Sequence, residues 1–215
     1  ARWLAGEVGQ LVAELNPAEK IGLLLFTRTH LQVYLQAFRK LGLKPRVRDG
    51  LPLADSKSVQ HLHNLVTALV HPHDELAWAT LLPGFGRQTE LAVLATAAAL
   101  PEPLWSTKLE RLAREQPEPQ LQRLAAALAW AQRQVGRRPL AEIVWEVLAR
   151  IAGWETIAAW EGPAGVANCR YYLELLATAA APSPAETLER VTLAYQQAYQ
   201  PPDPQAQDSP VEILT

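Results

Sequence analysis

Two strand-like runs near opposite ends of the chain limit what it can fold into. "KIGLLLFT" at residues 20–27 is a continuous apolar run of strand length, and "SPVEILT" at residues 209–215 places Val211 and Ile213 in alternation. Between Ala54 and Tyr199 the apolar residues recur only at helical spacing. The economical reading joins the ends. Residues 20–27 and 210–215 are expected to pair in one small parallel sheet, with the helical stretch inserted between them.

The flanking segments support this. "RWLAGEVGQLVAEL" sets Leu4, Val8, Leu11, Val12 and Leu15 at helical spacing, and Asn16-Pro17 ends that helix. "HLQVYLQAFRKLGL" repeats Leu31, Tyr34, Leu35 and Phe38 on one face and closes at Gly42, while "KPRVRDG" reads as a short second strand. Helix, strand, helix and strand within fifty residues is the signature of a parallel α/β sheet. The unbroken apolar run of the first strand predicts cover on both faces.

Breaks are expected in the helical stretch at Pro72, Pro83-Gly84, Pro101–Pro103, Pro117–Pro119, Gly136, Gly162–Gly165 and Pro182–Pro184. Ser183 is placed to cap the last helix, and "PPDPQAQDSP" is a polar, proline-rich linker. The expected class is α/β plus α. A partial parallel α/β domain covers residues 1–56 and 208–215, and an all-helical insertion with a C-terminal linker covers 57–207.

The 49% apolar and 20% charged composition fits a globular protein. No apolar run reaches membrane-spanning length, so no membrane partner is expected. Cys169 is the single cysteine, which excludes a disulfide framework and fits a reducing, cytoplasmic setting. A formal net charge of −2 argues against a free-standing module that coats DNA.

The sequence contains no G-x-x-x-x-G-K-[ST], no G-x-G-x-x-G and no G-x-S-x-G, hence none of the usual phosphate loops or nucleophile elbows. No metal site is expected. His61 and His63, two apart on a helix, face different ways, and His71 and His73 straddle a proline, so these histidines read as lining a polar helix surface. Glu142 with Glu146 and Glu186 with Glu189 read as solvated helix faces. Trp145, Trp154 and Trp160 read as core aromatics.

"LLPGFGRQTEL" is more specific. Gly84-Phe85-Gly86 is expected to form a tight turn leading into a helix whose first turn holds Arg87, Gln88 and Thr89. Backbone N–H groups at such a helix start can hold a nucleic-acid phosphate without reading sequence. A plain connection between helices would use the same glycines.

Taken together these stretches resemble the second half of the UvrD/Rep-type superfamily 1 DNA helicases, with the flavour of the RecB and AddA recombination helicases. "IGLLLFTRTHLQVYLQAFRKLGLKPRVRDG" is similar to the motif IV strand and the elements after it. "LADSKSVQHLHNLVTALVHPHDELAWATLLPGFG" resembles the opening of the inserted 2B domain. "GVANCRYYLELLATA" resembles a late 2B helix, with Asn168-Cys169 at its Asn-Leu pair. The resemblance implies a partial RecA-like 2A domain interrupted by a helical 2B domain, in a chain cut before motif V.

The resemblance also implies functional roles. Arg28, with Phe26 at the family's usual arginine position, would face nucleotide. Gly84, Gly86, Arg87, Gln88 and Thr89 would contact duplex DNA. The intact parent would bind ATP and Mg²⁺ and act on single-stranded and duplex DNA, together with its remaining helicase domains and a possible helicase–nuclease partner subunit. The chain alone, lacking Walker motifs, holds no catalytic residue, binds no cofactor and hydrolyses nothing. Departures exist: "SKSVQH" lacks the charges of the corresponding UvrD and Rep stretch, and Gly165 stands where a late-2B arginine is usual. The competing reading is a non-enzymatic helical adaptor that binds protein.

Overall fold

The computed structural model describes every residue except 17, 18, 28, 29, 49, 86–90, 117, 202–205, 207 and 215, with backbone only at 32, 82–85 and 91–94. The chain is mostly helical with one small parallel sheet, and it divides into two units: Ala1–Leu51 with Gln200–Thr215, and Pro52–Tyr199.

The first unit contains α1 (Arg2–Glu14), β1 (Ile21–Leu24), α2 (Leu31–Lys40), β2 (Arg46–Val47) and β3 (Val211–Leu214). The strand order is β1-β3-β2. β3 is parallel to both neighbours, with Ile21 opposite Val211 and Leu24 opposite Leu214, and Arg46 opposite Glu212. The expected pairing of the two distant runs is therefore present.

As the central strand, β3 turns Val211 and Ile213 fully inward. There they pack with Ala5 and Val8 of α1 and with Leu31, Leu35 and Phe38 of α2. Both helices lie on that one face. The opposite face holds Glu212, which bridges Lys20 at 3.2 Å and Arg46 at 3.9 Å.

The expectation that the first strand is covered on both faces is corrected. Ile21 and Leu23 pack inward, but Leu24 is 66% exposed. In an unbroken apolar run the alternation is invisible in the sequence, because both faces carry the same kind of side chain.

The second unit contains α3 (Lys57–Val70), α4 (Glu75–Phe85), α5 (Leu91–Ala98), α6 (Trp105–Glu115) and α7 (Pro119–Gln134). It continues with α8 (Leu140–Arg150), α9 (Gly153–Thr178) and α10 (Pro184–Gln197). Its two ends lie side by side, since Leu53 N–H donates to the Ala198 carbonyl at 2.8 Å and Pro52 bridges Tyr199. α3 is the central helix, touching α4, α7, α8, α9 and α10, and its Val59, Leu62, Leu65, Val66 and Leu69 are fully buried. Ser183 caps α10 as expected, accepting from Glu186 N–H at 3.2 Å.

α9 is continuous only nominally. Gly162 has φ 67° and ψ −161°, a conformation open to glycine alone, and Pro163 follows it. The Arg170 guanidinium lies 5.9 Å from the Trp154 ring centroid, although a straight helix would separate residues 154 and 170 by about 24 Å. The kink therefore folds the two halves of α9 back toward each other. It also delivers Glu161 to the start of α3, where its carboxylate accepts from Ser56 Oγ at 2.8 Å and Lys57 N–H at 2.9 Å. A helix N-terminus favours an anion there. Gly165 makes the fold-back possible, because a Cβ at that position would overlap the Glu161 side chain.

Candidate nucleic-acid interface

The residues expected to meet nucleotide or DNA fall in two places. Phe26 lies two residues beyond β1 and is 98% exposed, and Arg28 lies outside the described residues. The carboxyl ends of parallel strands are where open α/β sheets gather ligands, and Phe26 stands at that end of β1.

The expected turn at Gly84-Phe85-Gly86 is corrected in part. α4 runs through Pro83 and Gly84 to Phe85, so Gly84 has helical backbone and is not in a turn. Pro83 has no N–H to give the carbonyl four residues back and Gly84 follows it, and the helix stops one residue later. Gly86, Arg87, Gln88 and Thr89 lie outside the described residues; the next helix, α5, starts at Leu91.

On the sheet, Lys44, Arg46 and Arg48 are exposed while Pro45 is buried and Val47 half-buried. The sequence carries this alternation in "KPRVR", visible once the strand is placed. Arg48 N–H donates to the Ile213 carbonyl at 2.9 Å, which holds the segment in strand register for two residues beyond Arg46.

In the helical unit the histidines do not simply line a polar surface. His63 Nδ1 lies 3.0 Å from the Tyr172 hydroxyl, its ring stacks on Tyr195 at 4.5 Å between centroids, and Thr192 Oγ1 lies 3.5 Å from Nε2. Tyr172 is fully buried. Burial lowers the pKa of His63 from 6.5 to about 4, and burial lowers that of His61 as well. A neutral imidazole is thus part of the packing.

Above pH 6.5 both folded and unfolded chains hold His63 neutral and nothing is lost. Between about 6.5 and about 4 the unfolded chain takes up a proton that the fold refuses, so stability falls with acidification, by on the order of 3 kcal/mol at most. Urea titrations at pH 7 and pH 4.5 check this: a His63→Gln variant should lose less stability between the two pH values than the wild type. Equal losses in both chains would place the acid sensitivity elsewhere.

Of the three tryptophans expected in the core, Trp154 packs against it and two differ. Trp78 and Trp105 are core residues, whereas Trp145 and Trp160 are 47% and 43% exposed. Trp145 rests on Trp154 at 4.8 Å between centroids, and Arg150 lies 4.4 Å over Trp130. The glutamates are solvated as expected: Glu142 pairs with Arg138, Glu146 with Arg150 and Glu186 with Arg190, each four residues away, and Glu189 is exposed. Asn168 and Cys169 are both buried, and burial pushes the Cys169 thiol up, leaving it protonated and unreactive. Among the described residues no three His, Cys, Asp or Glu side chains gather in a way that could hold a metal ion, and no helix is long and apolar enough to cross a membrane.

No protein-family model matches the chain, and a search of curated proteins finds no match.

Proposed function

We propose that the chain is the 2A/2B portion of a UvrD/Rep-type, RecB/AddA-like DNA helicase. The intact enzyme couples ATP hydrolysis to translocation on single-stranded DNA and duplex unwinding in repair or recombination. One observation carries the reading. β1 and β3 are separated by a complete helical unit yet pair in parallel register, as expected of a RecA-like domain that tolerates a large insertion between two of its strands. In this reading Phe26 and Arg28 face nucleotide at the carboxyl edge of the sheet. Gly86, Arg87, Gln88 and Thr89, after α4, meet phosphates of the duplex. ATP and Mg²⁺ belong to the intact parent.

The half-exposed Trp145 and the net charge of −2 favour the second reading, a protein-binding adaptor. A duplex titration at low salt separates the two. The helicase reading expects weak binding that falls steeply with salt. Arg87→Ala should weaken it similarly for any sequence, because a phosphate contact carries no base information, and Gly86→Val should also weaken it. Equal affinity for all three chains removes residues 84–89 from DNA, and no binding at all favours the adaptor.

A further inference from the structure

Two places in the helical unit set arginines over a tryptophan, and only one of them is complete. At Trp130 of α7, Arg138 lies 5.8 Å and Arg150 4.4 Å from the ring centroid. Each of these arginines is also held by a glutamate of the same chain, Glu142 and Glu146, at 3.0 Å. At Trp154 the kink of α9 brings Arg170 to 5.9 Å from the ring centroid. Arg170 is exposed, and among the described residues no carboxylate pairs with it, not even Glu174 one turn further along α9. Trp154 also supports Trp145, whose ring lies 4.8 Å away at a tilt of 56° and stays 47% exposed. Ala149 and Ala158, one turn beyond the two tryptophans on their helices, are exposed and too small to cover the rings.

A lone exposed tryptophan or a solvated arginine needs no ligand. Here the two adjoin through a shared ring, and tryptophan and arginine are the side chains that most often dominate binding at protein interfaces. The surrounding charges choose among occupants. Glu142 and Glu146 flank Trp145 on α8, and Glu155 follows Trp154, so a run of phosphates drawn across the rings meets like charge. A single carboxylate on Arg170 instead completes that guanidinium as Glu142 and Glu146 complete the other two. Extended chain covers about 3.3 Å per residue. An apolar residue and an acidic one two or three positions apart therefore span the adjoining 4.8 Å and 5.9 Å steps.

We propose that this face binds an acidic peptide segment of another protein, with an apolar side chain against Trp145 and Trp154 and a carboxylate on Arg170. The inference goes beyond both readings above, since a helicase portion and an adaptor can each carry such a surface. It uses none of residues 84–89, so its failure and that of the duplex titration are separate results.

The test uses the whole chain and a set of short fluorescein-labelled peptides. Each is a Gly/Ser frame carrying one leucine, phenylalanine or proline with a glutamate two or three positions away. Anisotropy reads affinity, and heteronuclear NMR reads the indole N–H signals of Trp145 and Trp154. At least one peptide binds with a Kd below about 1 mM and moves both indole signals. Trp145→Ala weakens it at least about fivefold and Arg170→Glu at least about tenfold. Exchanging the peptide's glutamate for lysine restores binding to Arg170→Glu, a rescue that a merely structural defect does not give. Both positions are exposed, and circular dichroism confirms that each variant remains folded. No binding by any peptide of the set, indifference to either variant, or absence of the rescue overturns the proposal. So does oligothymidylate moving the same indole signals at lower concentration than the peptides. A dimer in sedimentation velocity that Trp145→Ala abolishes also overturns it, by assigning the surface to a second copy of the chain.

Discussion

Ile213→Asp unfolds the sheet unit and leaves the helical unit standing. Ile213 is fully buried on the central strand, between the β1 and β2 pairings and against the α1–α2 layer. A carboxylate placed there loses its hydration with no partner on that face. The cost is about 4 kcal/mol or more, comparable to the whole stability of a small unit. Hydrogen exchange should lose protection at Ile21–Leu24 and Arg46–Val47 while the amides of α3, α8 and α9 keep theirs. Glu212→Ala on the open face should change little, since exposed ion pairs contribute less than about 1 kcal/mol. Unchanged protection of β1 in Ile213→Asp would contradict the pairing of the two chain ends.

The second large effect lies at the α9 kink. Gly165→Ala puts a methyl group where the Glu161 side chain lies, and that side chain is fixed by Ser56 Oγ and Lys57 N–H. Overpacking and a disturbed charged cap together cost about 3 kcal/mol, a fall in Tm of roughly 10 °C for a unit of this size. Differential scanning calorimetry measures it. In a Glu161→Gly background the same substitution should cost far less, because the overlapping atom is gone. Equal cost in both backgrounds would remove Glu161 from the explanation.

Much of the fold is legible in the sequence where period and position agree. The two end runs announce strands because the residues between them show only the helical repeat, and the parallel pairing follows. Ser183 announces a cap because a hydroxyl three residues ahead of Glu186 can accept its N–H. Other features are not legible because they depend on contacts remote in sequence. "KIGLLLFT" has apolar residues on both faces, so its open side is seen only once α1 and α2 are placed. Gly162-Pro163 marks a break, yet nothing local says that the next helix turns back and sends Glu161 to α3. His63 looks like a surface residue until Tyr172 and Tyr195 close around it. The candidate site divides the same way. Phe26 is visible as an apolar residue at a strand end, whereas the alternate exposure of Lys44, Arg46 and Arg48 is read only when β2 takes its place beside β3.

The helicase reading is tested most directly by sequencing the gene on both sides of this coding stretch. The account predicts a Gly-x-x-x-x-Gly-Lys-[Ser/Thr] phosphate loop upstream, within a RecA-like α/β pattern. It predicts that codons for a His-x-Ala-Lys-Gly-Leu-Glu-like motif continue β3 downstream of Thr215. A stop codon directly after Thr215, or an upstream region without a phosphate loop, would contradict it.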